Sequence, residues 1–170
     1  GASALAVATE RVRTAVWATD TSTDALEVAR ANLAGLGRAG ARVRIAHGEW
    51  FGALPEELGG TVDLVVSNPP YVAANADLSP SVTEWEPAGA LFAGADGLDD
   101  LRVILAEAPG WLVPDGVVVC ELSPEQGAAA VELAGEHFDE VFLAQDLTGR
   151  DRALVARHPR SVRRFTTSTL

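Results

Sequence analysis

The sequence predicts an α/β fold built on a doubly wound, mostly parallel sheet, and three observations support this class. Stretches with helical periodicity alternate with short apolar stretches along nearly all of the 170 residues. Two of the short stretches, Val62–Val66 and Val117–Leu122, are almost continuously apolar, as in strands buried on both faces of a parallel sheet. Turn residues such as Asn68-Pro69-Pro70 and Pro114-Asp115-Gly116 separate the elements. Such alternation is typical of sheets with helices on both faces.

The individual elements follow from periodicity and from end signals. An Ala- and Leu-rich helix opens the chain, and a strand over Thr14–Thr19 ends at Asp20. Thr21–Asp24 supplies candidate N-cap residues for the next helix, and Gly35 and Gly37 mark its end. That helix covers residues 25–33, and the remaining predicted helices cover residues 99–112 and 124–136. The remaining strands cover residues 42–47, 62–66, 117–122, 140–144 and 153–156.

The strand ends are where a binding site is expected. In open α/β sheets, ligands bind at the carboxyl ends of the parallel strands. That rule points to Asp20, to residues 47–50, to Asn68–Tyr71 and to Glu121. A connection of roughly 25 residues, 71–97, follows the third predicted strand, and loops of that length are usually functional.

Composition and charge restrict the class of function. The net charge of −11 argues against direct binding of nucleic acid, which relies on Lys and Arg to neutralise phosphates. No stretch approaches the length and apolarity of a membrane span. The single cysteine, Cys120, lies in an apolar run and is expected to be a small buried side chain, in keeping with the reducing cytoplasm. The three histidines are dispersed, without metal-ligand spacing.

Asn68-Pro69-Pro70-Tyr71 carries the strongest chemical signal. The two prolines fix the backbone and present carbonyls without competing N–H groups, directly after a predicted buried strand. An asparagine side-chain carbonyl and the next backbone carbonyl can both accept hydrogen bonds from one NH2 group. Tyr71 can pack on a flat amide or base. The alternative is a simple turn in which Tyr71 only fills space.

Asp20, Glu49 and Trp50 form a second candidate group. A carboxylate at the end of a strand can accept both hydroxyls of a ribose. Trp50 offers a flat apolar wall for an adenine, and Glu49 an acceptor for its amino group. The alternatives are a helix cap or solvated turn for Asp20, and a core tryptophan beside a solvated glutamate for the other two.

The motifs together resemble the S-adenosylmethionine-dependent methyltransferases of the protein-(glutamine-N5) type, which modify peptide chain release factors. The resemblance covers residues 1 to about 158 and is most specific in the segment after the tetrapeptide, with its Glu-Pro, Ala-Leu and Gly-x-Asp-Gly-Leu elements. Four stretches carry it: Trp17–Asp20, Gly48–Leu54, Val65–Val72 and Trp85–Asp99.

The resemblance implies a cofactor, a partner and a set of site residues. It implies the Rossmann-like methyltransferase fold, S-adenosylmethionine as cofactor, and a release factor as the substrate in translation termination. Asn68, Pro69, Pro70 and Tyr71 would form the catalytic acceptor of the glutamine amide. Gly1, Asp20, Glu49, Trp50 and Asn68 would contact the cofactor, with Gly1 as the last glycine of a glycine-rich loop.

The chain also departs from the family pattern. Relative to the family it lacks the first strand, the earlier glycines and a helix-rich N-terminal region that contacts the release factor. Glu49 replaces a common aspartate, and Trp85 another aromatic residue. We predict a catalytic domain over residues 1–158 and a disordered tail over 159–170. Two other functions stay open: methylation of an exocyclic amino group of a nucleic acid base, and a truncated, non-catalytic domain that serves as a partner surface.

Overall fold

The computed structural model describes residues 1–74, 76 and 88–160, and the chain divides into two compact units. The first unit is Gly1–Leu58 and the second begins at Gly59. Each unit combines helices with at least one pair of parallel strands, so the predicted α/β class is confirmed.

A two-stranded parallel sheet forms the centre of the first unit. Strand β1 (Val16–Asp20) pairs in register with β2 (Val43–His47). Helix α1 (Ala2–Glu10) precedes β1, and α2 (Thr23–Ala34) connects the two strands. Ser22 caps α2, because its side chain accepts a hydrogen bond of 3.2 Å from the Ala25 N–H. Both predicted helices of this unit are present, and α2 begins two residues before and ends one residue after the predicted 25–33, with Gly35 as its C-cap.

A four-stranded sheet in the order β3-β4-β6-β5 forms the second unit. Its strands are β3 (Val62–Ser67), β4 (Leu112–Glu121), β5 (Phe138–Gln145) and β6 (Asp151–Pro159). Strands β3 and β4 are parallel, and β6 is antiparallel to both of its neighbours. Strand β5 consequently runs in the same direction as β3 and β4, so this sheet is mostly parallel, as predicted.

Within the described residues, three α-helices accompany the second sheet: α3 (Ala88–Leu91), α4 (Asp99–Glu107) and α5 (Gly127–Gly135). Helix α4 buries a stripe of leucine and isoleucine at the spacing of one helical face. The sheet contributes alternate residues of β4 and β6 to the core. The largest fully buried side chains are Phe138, Ile104, Leu105, Leu122, Leu154, Val118 and Cys120. The prediction for Cys120 is confirmed, and burial raises the pKa of its thiol to about 12.

The prediction that Val62–Val66 is buried on both faces is wrong. Strand β3 lies at the edge of its sheet and pairs with β4 alone among the described strands of this unit. The side chains of Leu64 and Val66 are 44% and 43% exposed. Leu64 and Val66 lie on the same face of the strand, and an apolar run does not show whether each face is covered.

Two predictions around residues 107–117 need correction. The helix predicted over 99–112 ends at Glu107, because Pro109 lacks the N–H that would continue it. The predicted turn at Pro114–Gly116 lies inside β4 as an irregularity. There Val62 pairs with Leu112, whereas Leu64 pairs with Val117.

The last strand continues to Pro159, one residue beyond the predicted domain end at residue 158. Residues 161–170 of the predicted tail lie outside the described residues, as do Trp85, Glu86 and Pro87 of the quoted motif. Every helix in the described ranges is too short or too polar to cross a membrane.

Candidate active site

The first unit brings Asp20 together with the segment that follows β2. Asp20 and His47 are register partners at the carboxyl ends of the two strands. The backbone N–H of Gly48 donates to the Asp20 carbonyl at 3.1 Å. The imidazole Nε2 of His47 lies 3.0 Å from the Thr21 carbonyl. The sequence-predicted residues Asp20 and Gly48–Trp50 therefore share one edge of this sheet.

The Asp20 side chain is half-buried and oriented by the turn that starts α2. Its Oδ1 accepts a hydrogen bond of 2.9 Å from the Ser22 N–H, which is the geometry of an Asx turn. The cap of α2 is Ser22, so the helix-cap alternative for Asp20 is wrong. The Asx turn holds the Asp20 carboxylate at the end of the strand, where a ligand is expected.

An unusual backbone conformation shapes the turn from Gly48 to Trp50. Gly48 has a φ of +152°, and a Cβ there would lie 2.9 Å from the Cβ of Ala53. Trp50 has a φ of +42°, which is rare for a bulky residue and costs free energy. Glu49 is exposed and Trp50 half-buried. The turn thus presents the indole partly to solvent instead of enclosing it in the core.

Gly1 lies at the start of α1, where its carbonyl accepts from the Leu5 N–H at 3.2 Å. A Cβ on Gly1 would lie 2.9 Å from the Cβ of Ala29 in α2. The close approach of the two helices therefore requires a residue without a side chain. The predicted contact of Gly1 with a cofactor stays a prediction.

The second unit holds Asn68–Tyr71 at the carboxyl end of β3. Ser67, the last residue of β3, pairs with Cys120. Asn68 is exposed, Pro69 is buried, and Pro70 and Tyr71 are half-buried. The two prolines therefore pack against the rest of the unit, and the Asn68 side chain lies at the surface.

A short parallel ladder fixes the chain just after the tetrapeptide. The Val72 N–H donates to the Leu91 carbonyl at 2.9 Å, and the Ala93 N–H donates to the Val72 carbonyl at 3.0 Å. The Ala74 N–H donates to the Gly94 carbonyl at 2.8 Å. Both ends of the predicted 71–97 loop thus meet beside Asn68–Tyr71, which gives the loop the location expected of a functional segment.

Sequence reasoning missed Gln126 and Arg102, which fasten this loop to helices. The Gln126 side-chain amide donates to the Tyr71 carbonyl at 2.9 Å. The Arg102 guanidinium donates to Asp96 at 3.0 and 2.5 Å and holds the pKa of that carboxyl down at about 2. The Ser123-Pro-Glu-Gln126 capping-box pattern would have predicted a helix start, but not the long-range contact.

The groups that could carry chemistry here are carboxylates, amides and carbonyls. Among the described residues, no three or more His, Cys, Asp or Glu side chains are close enough to hold a metal ion together. Both candidate groups lie at carboxyl ends of parallel strands, the first in Gly1–Leu58 and the second beyond Gly59.

Comparisons with solved structures place the fold among methyltransferases. A predicted O-methyltransferase from Agrobacterium tumefaciens matches 95% of this chain and 70% of its own, with a TM-score of 0.62 and 21% identity. A methyltransferase from Pyrococcus furiosus matches 90% of this chain and 67% of its own, also with a TM-score of 0.62 and 21% identity. At this identity the likeness establishes the fold alone.

Comparisons with curated sequences are more specific. A release factor glutamine methyltransferase from Cereibacter sphaeroides is 44% identical over 164 residues, which is 94% of this chain and 56% of that protein. The protein of the same name from Mycolicibacterium smegmatis is 42% identical over 158 residues, or 92% of this chain and 55% of that protein. No family model matches the chain.

The chain spans about half the length of these curated relatives. Within that span the level of identity far exceeds that of the structural matches. Over 94% of its length the chain is homologous to the release factor glutamine methyltransferases, which confirms the resemblance carried by its motifs.

Proposed function

We propose that the protein carrying this chain transfers the methyl group of S-adenosylmethionine to the side-chain amide nitrogen of a glutamine in a peptide chain release factor. The observation that carries the proposal is the 44% identity to a release factor glutamine methyltransferase. The position of Asn68-Pro69-Pro70-Tyr71 directly after a parallel strand supports it. The curated relatives do not favour a nucleic acid base as substrate, or a non-catalytic domain.

The first unit offers groups that suit S-adenosylmethionine. The half-buried Asp20 carboxylate would accept hydrogen bonds from the ribose hydroxyls, since the Ser22 N–H already holds it in a fixed orientation. Trp50 would contact the adenine, and Glu49 would accept from the adenine amino group. Gly1, at the start of α1, would contact the ligand through its backbone.

In the second unit, Asn68 and Pro69 would hold the glutamine amide. The Asn68 side-chain carbonyl and the Pro69 backbone carbonyl would accept its two N–H groups, and Tyr71 would pack against its plane. Bound S-adenosylmethionine supplies a methyl group that is already activated by its positive sulfur. The protein therefore needs chiefly to orient and desolvate the nitrogen, which is catalysis by proximity.

The two acceptor carbonyls would also compensate for the low nucleophilicity of the amide nitrogen. An amide nitrogen is a poor nucleophile because its lone pair is delocalised. Carbonyl dipoles fixed toward its N–H groups would stabilise the positive charge that develops on nitrogen during transfer. We expect the proton to leave late, to water, and we place this reaction in the cytoplasm, where release factors act.

The proposal is tested with S-adenosylmethionine labelled in its methyl group. The protein is incubated separately with a release factor, with transfer RNA and with duplex DNA. Label on the release factor alone is expected. Label on either nucleic acid and none on the release factor would replace this function with methylation of a base. Cofactor binding without transfer to any of the three would exclude the proposed substrate.

A further inference from the structure

The amide of Gln126 lies where three backbone carbonyls converge. Its Nε2 is 2.9 Å from the Tyr71 carbonyl, 3.1 Å from that of Gly97 and 3.1 Å from that of Asp96. Its Oε1 accepts a hydrogen bond of 3.2 Å from the Ser123 N–H. A primary amide suits this position, since it donates two protons on one side and accepts on the other.

We propose that Gln126 is a positioning residue for Asn68–Tyr71, acting through the Tyr71 carbonyl. The inference deepens the proposed function and rests on it. In this proposal Gln126 acts on the reaction through the backbone alone. It sets the direction of the backbone that leaves the tetrapeptide, and thereby the direction of the Asn68 and Pro69 acceptors.

The first support is that Gln126 belongs to a well-anchored part of the fold. It ends the 3-10 turn Pro124–Gln126 and directly precedes α5. Its Oε1 is engaged by the Ser123 N–H in a capping box, so rotation of the amide would break that bond. The orientation of the Nε2 donor is therefore fixed by local structure before it meets the loop.

The second support is the close fit of the turn at Gly97. A Cβ on Gly97 would lie 2.3 Å from the Tyr71 carbonyl oxygen and 2.6 Å from Nε2 of Gln126. Gly97 also has a φ of +75°, which favours glycine. The Gln126 amide thus reaches Tyr71 because the turn beside it carries no side chain.

The third support is the anchorage of that turn to α4. Arg102 donates to both carboxylate oxygens of Asp96 and, at 2.9 Å, to Asp99. The turn is consequently held on one side by α4 and on the other by Gln126 at the start of α5. The Gln126 bond to the Tyr71 carbonyl joins the tetrapeptide to this assembly.

The test compares Gln126→Leu and Gln126→Glu with Gln145→Glu in the intact protein. Leucine removes all polar contacts at similar volume, and glutamate keeps the acceptor but loses the donors. Gln145 is exposed and donates to Asp151 on the neighbouring strand β6, so Gln145→Glu introduces the same charge at a position away from the loop. Methyl transfer kinetics, cofactor affinity and amide hydrogen exchange are measured for each.

For both Gln126 variants we expect kcat to fall at least about tenfold, while the Kd for S-adenosylmethionine changes less than about twofold. Exchange of the Val72, Ala74 and Ala93 amides should accelerate at least about tenfold, with that of Val118 in β4 unchanged. Gln145→Glu should match the wild type in all three measurements.

Unchanged exchange at Val72, Ala74 and Ala93 in Gln126→Leu would overturn the inference. Equal acceleration at Val118 would overturn it too, because it would mark a general loss of stability. If local exchange accelerates while the wild-type protein methylates no release factor, the proposed function fails and the positioning of the loop by Gln126 is upheld.

Discussion

The Gly48 N–H donates to the Asp20 carbonyl at 3.1 Å, which ties the turn after β2 to the end of β1. That bond places the candidate ribose acceptor and the turn carrying Trp50 at one sheet edge. The turn needs glycine at position 48, where φ is +152° and the Ala53 side chain leaves no room for a Cβ.

Gly48→Ala should therefore destabilise the protein by about 1–3 kcal/mol, from backbone strain and a steric clash together. Chemical denaturation measures the change. Gly52→Ala is the matched control, because a Cβ at Gly52 meets nothing within 4 Å. Equal effects of the two substitutions would contradict the strain assigned to Gly48.

Asp20→Asn should weaken S-adenosylmethionine binding by about tenfold to a hundredfold, since a charged hydrogen-bond acceptor is replaced by a neutral amide. Isothermal titration calorimetry measures the affinity. Glu27→Gln removes the same charge from an exposed position of α2 and should leave the affinity unchanged. A wild-type affinity in Asp20→Asn would remove Asp20 from the cofactor site.

The Asp96–Arg102 ion pair should make the stability of the folded protein decrease in acid. Hydrogen bonds from Arg102 lower the pKa of Asp96 from 3.8 to about 2. A carboxyl whose pKa is depressed on folding contributes stability above its unfolded pKa and loses it as pH falls through the folded value. The contribution is thus complete at neutral pH and disappears between about pH 4 and pH 2.

The thermal unfolding midpoint, followed from neutral pH down to about pH 2, measures this effect. Asp96→Asn should lower the midpoint at neutral pH and flatten its fall in acid. Asp63→Asn, an exposed change of the same kind, should leave the wild-type profile intact. An Asp96→Asn profile that parallels the wild type would show that the pair does not stabilise the fold.

Cys120 should resist thiol reagents in the folded protein. Burial raises the pKa of its thiol to about 12, and the thiolate is the reactive form. At mildly alkaline pH we expect no reaction with a disulfide reagent until denaturant is added, and then one equivalent. Rapid labelling of the native protein would contradict the burial of this strand.

The parts of the site that the sequence predicted are those fixed by local pattern. Asp20 and Gly48–Trp50 lie at the ends of β1 and β2, and parallel pairing brings these two carboxyl ends to one edge of the first sheet. Asn68–Tyr71 follows β3, which pairs in parallel with β4 in the second unit. Gln126 was missed because its partner, Tyr71, is 55 residues away. The exposure of Leu64 and Val66 was missed because an apolar run does not reveal whether both faces of the strand are covered.

Replacement of Asn68 should affect the rate of methyl transfer and the affinity for the cofactor to different extents. Asn68→Ala should lower kcat by about a hundredfold or more, because the developing charge loses a fixed dipole, while cofactor affinity changes little. Single-turnover transfer and equilibrium binding give the two quantities. Comparable losses in both would mean that Asn68 serves the cofactor instead of the substrate amide.

The central claim is that a release factor glutamine is the methyl acceptor. Mass spectrometry of a release factor treated with the protein and S-adenosylmethionine locates the added methyl group, and a factor with alanine at the candidate glutamine is the control. We predict one methyl group on that glutamine amide and none on the control. Methylation of the control, or of another side chain, would contradict the account.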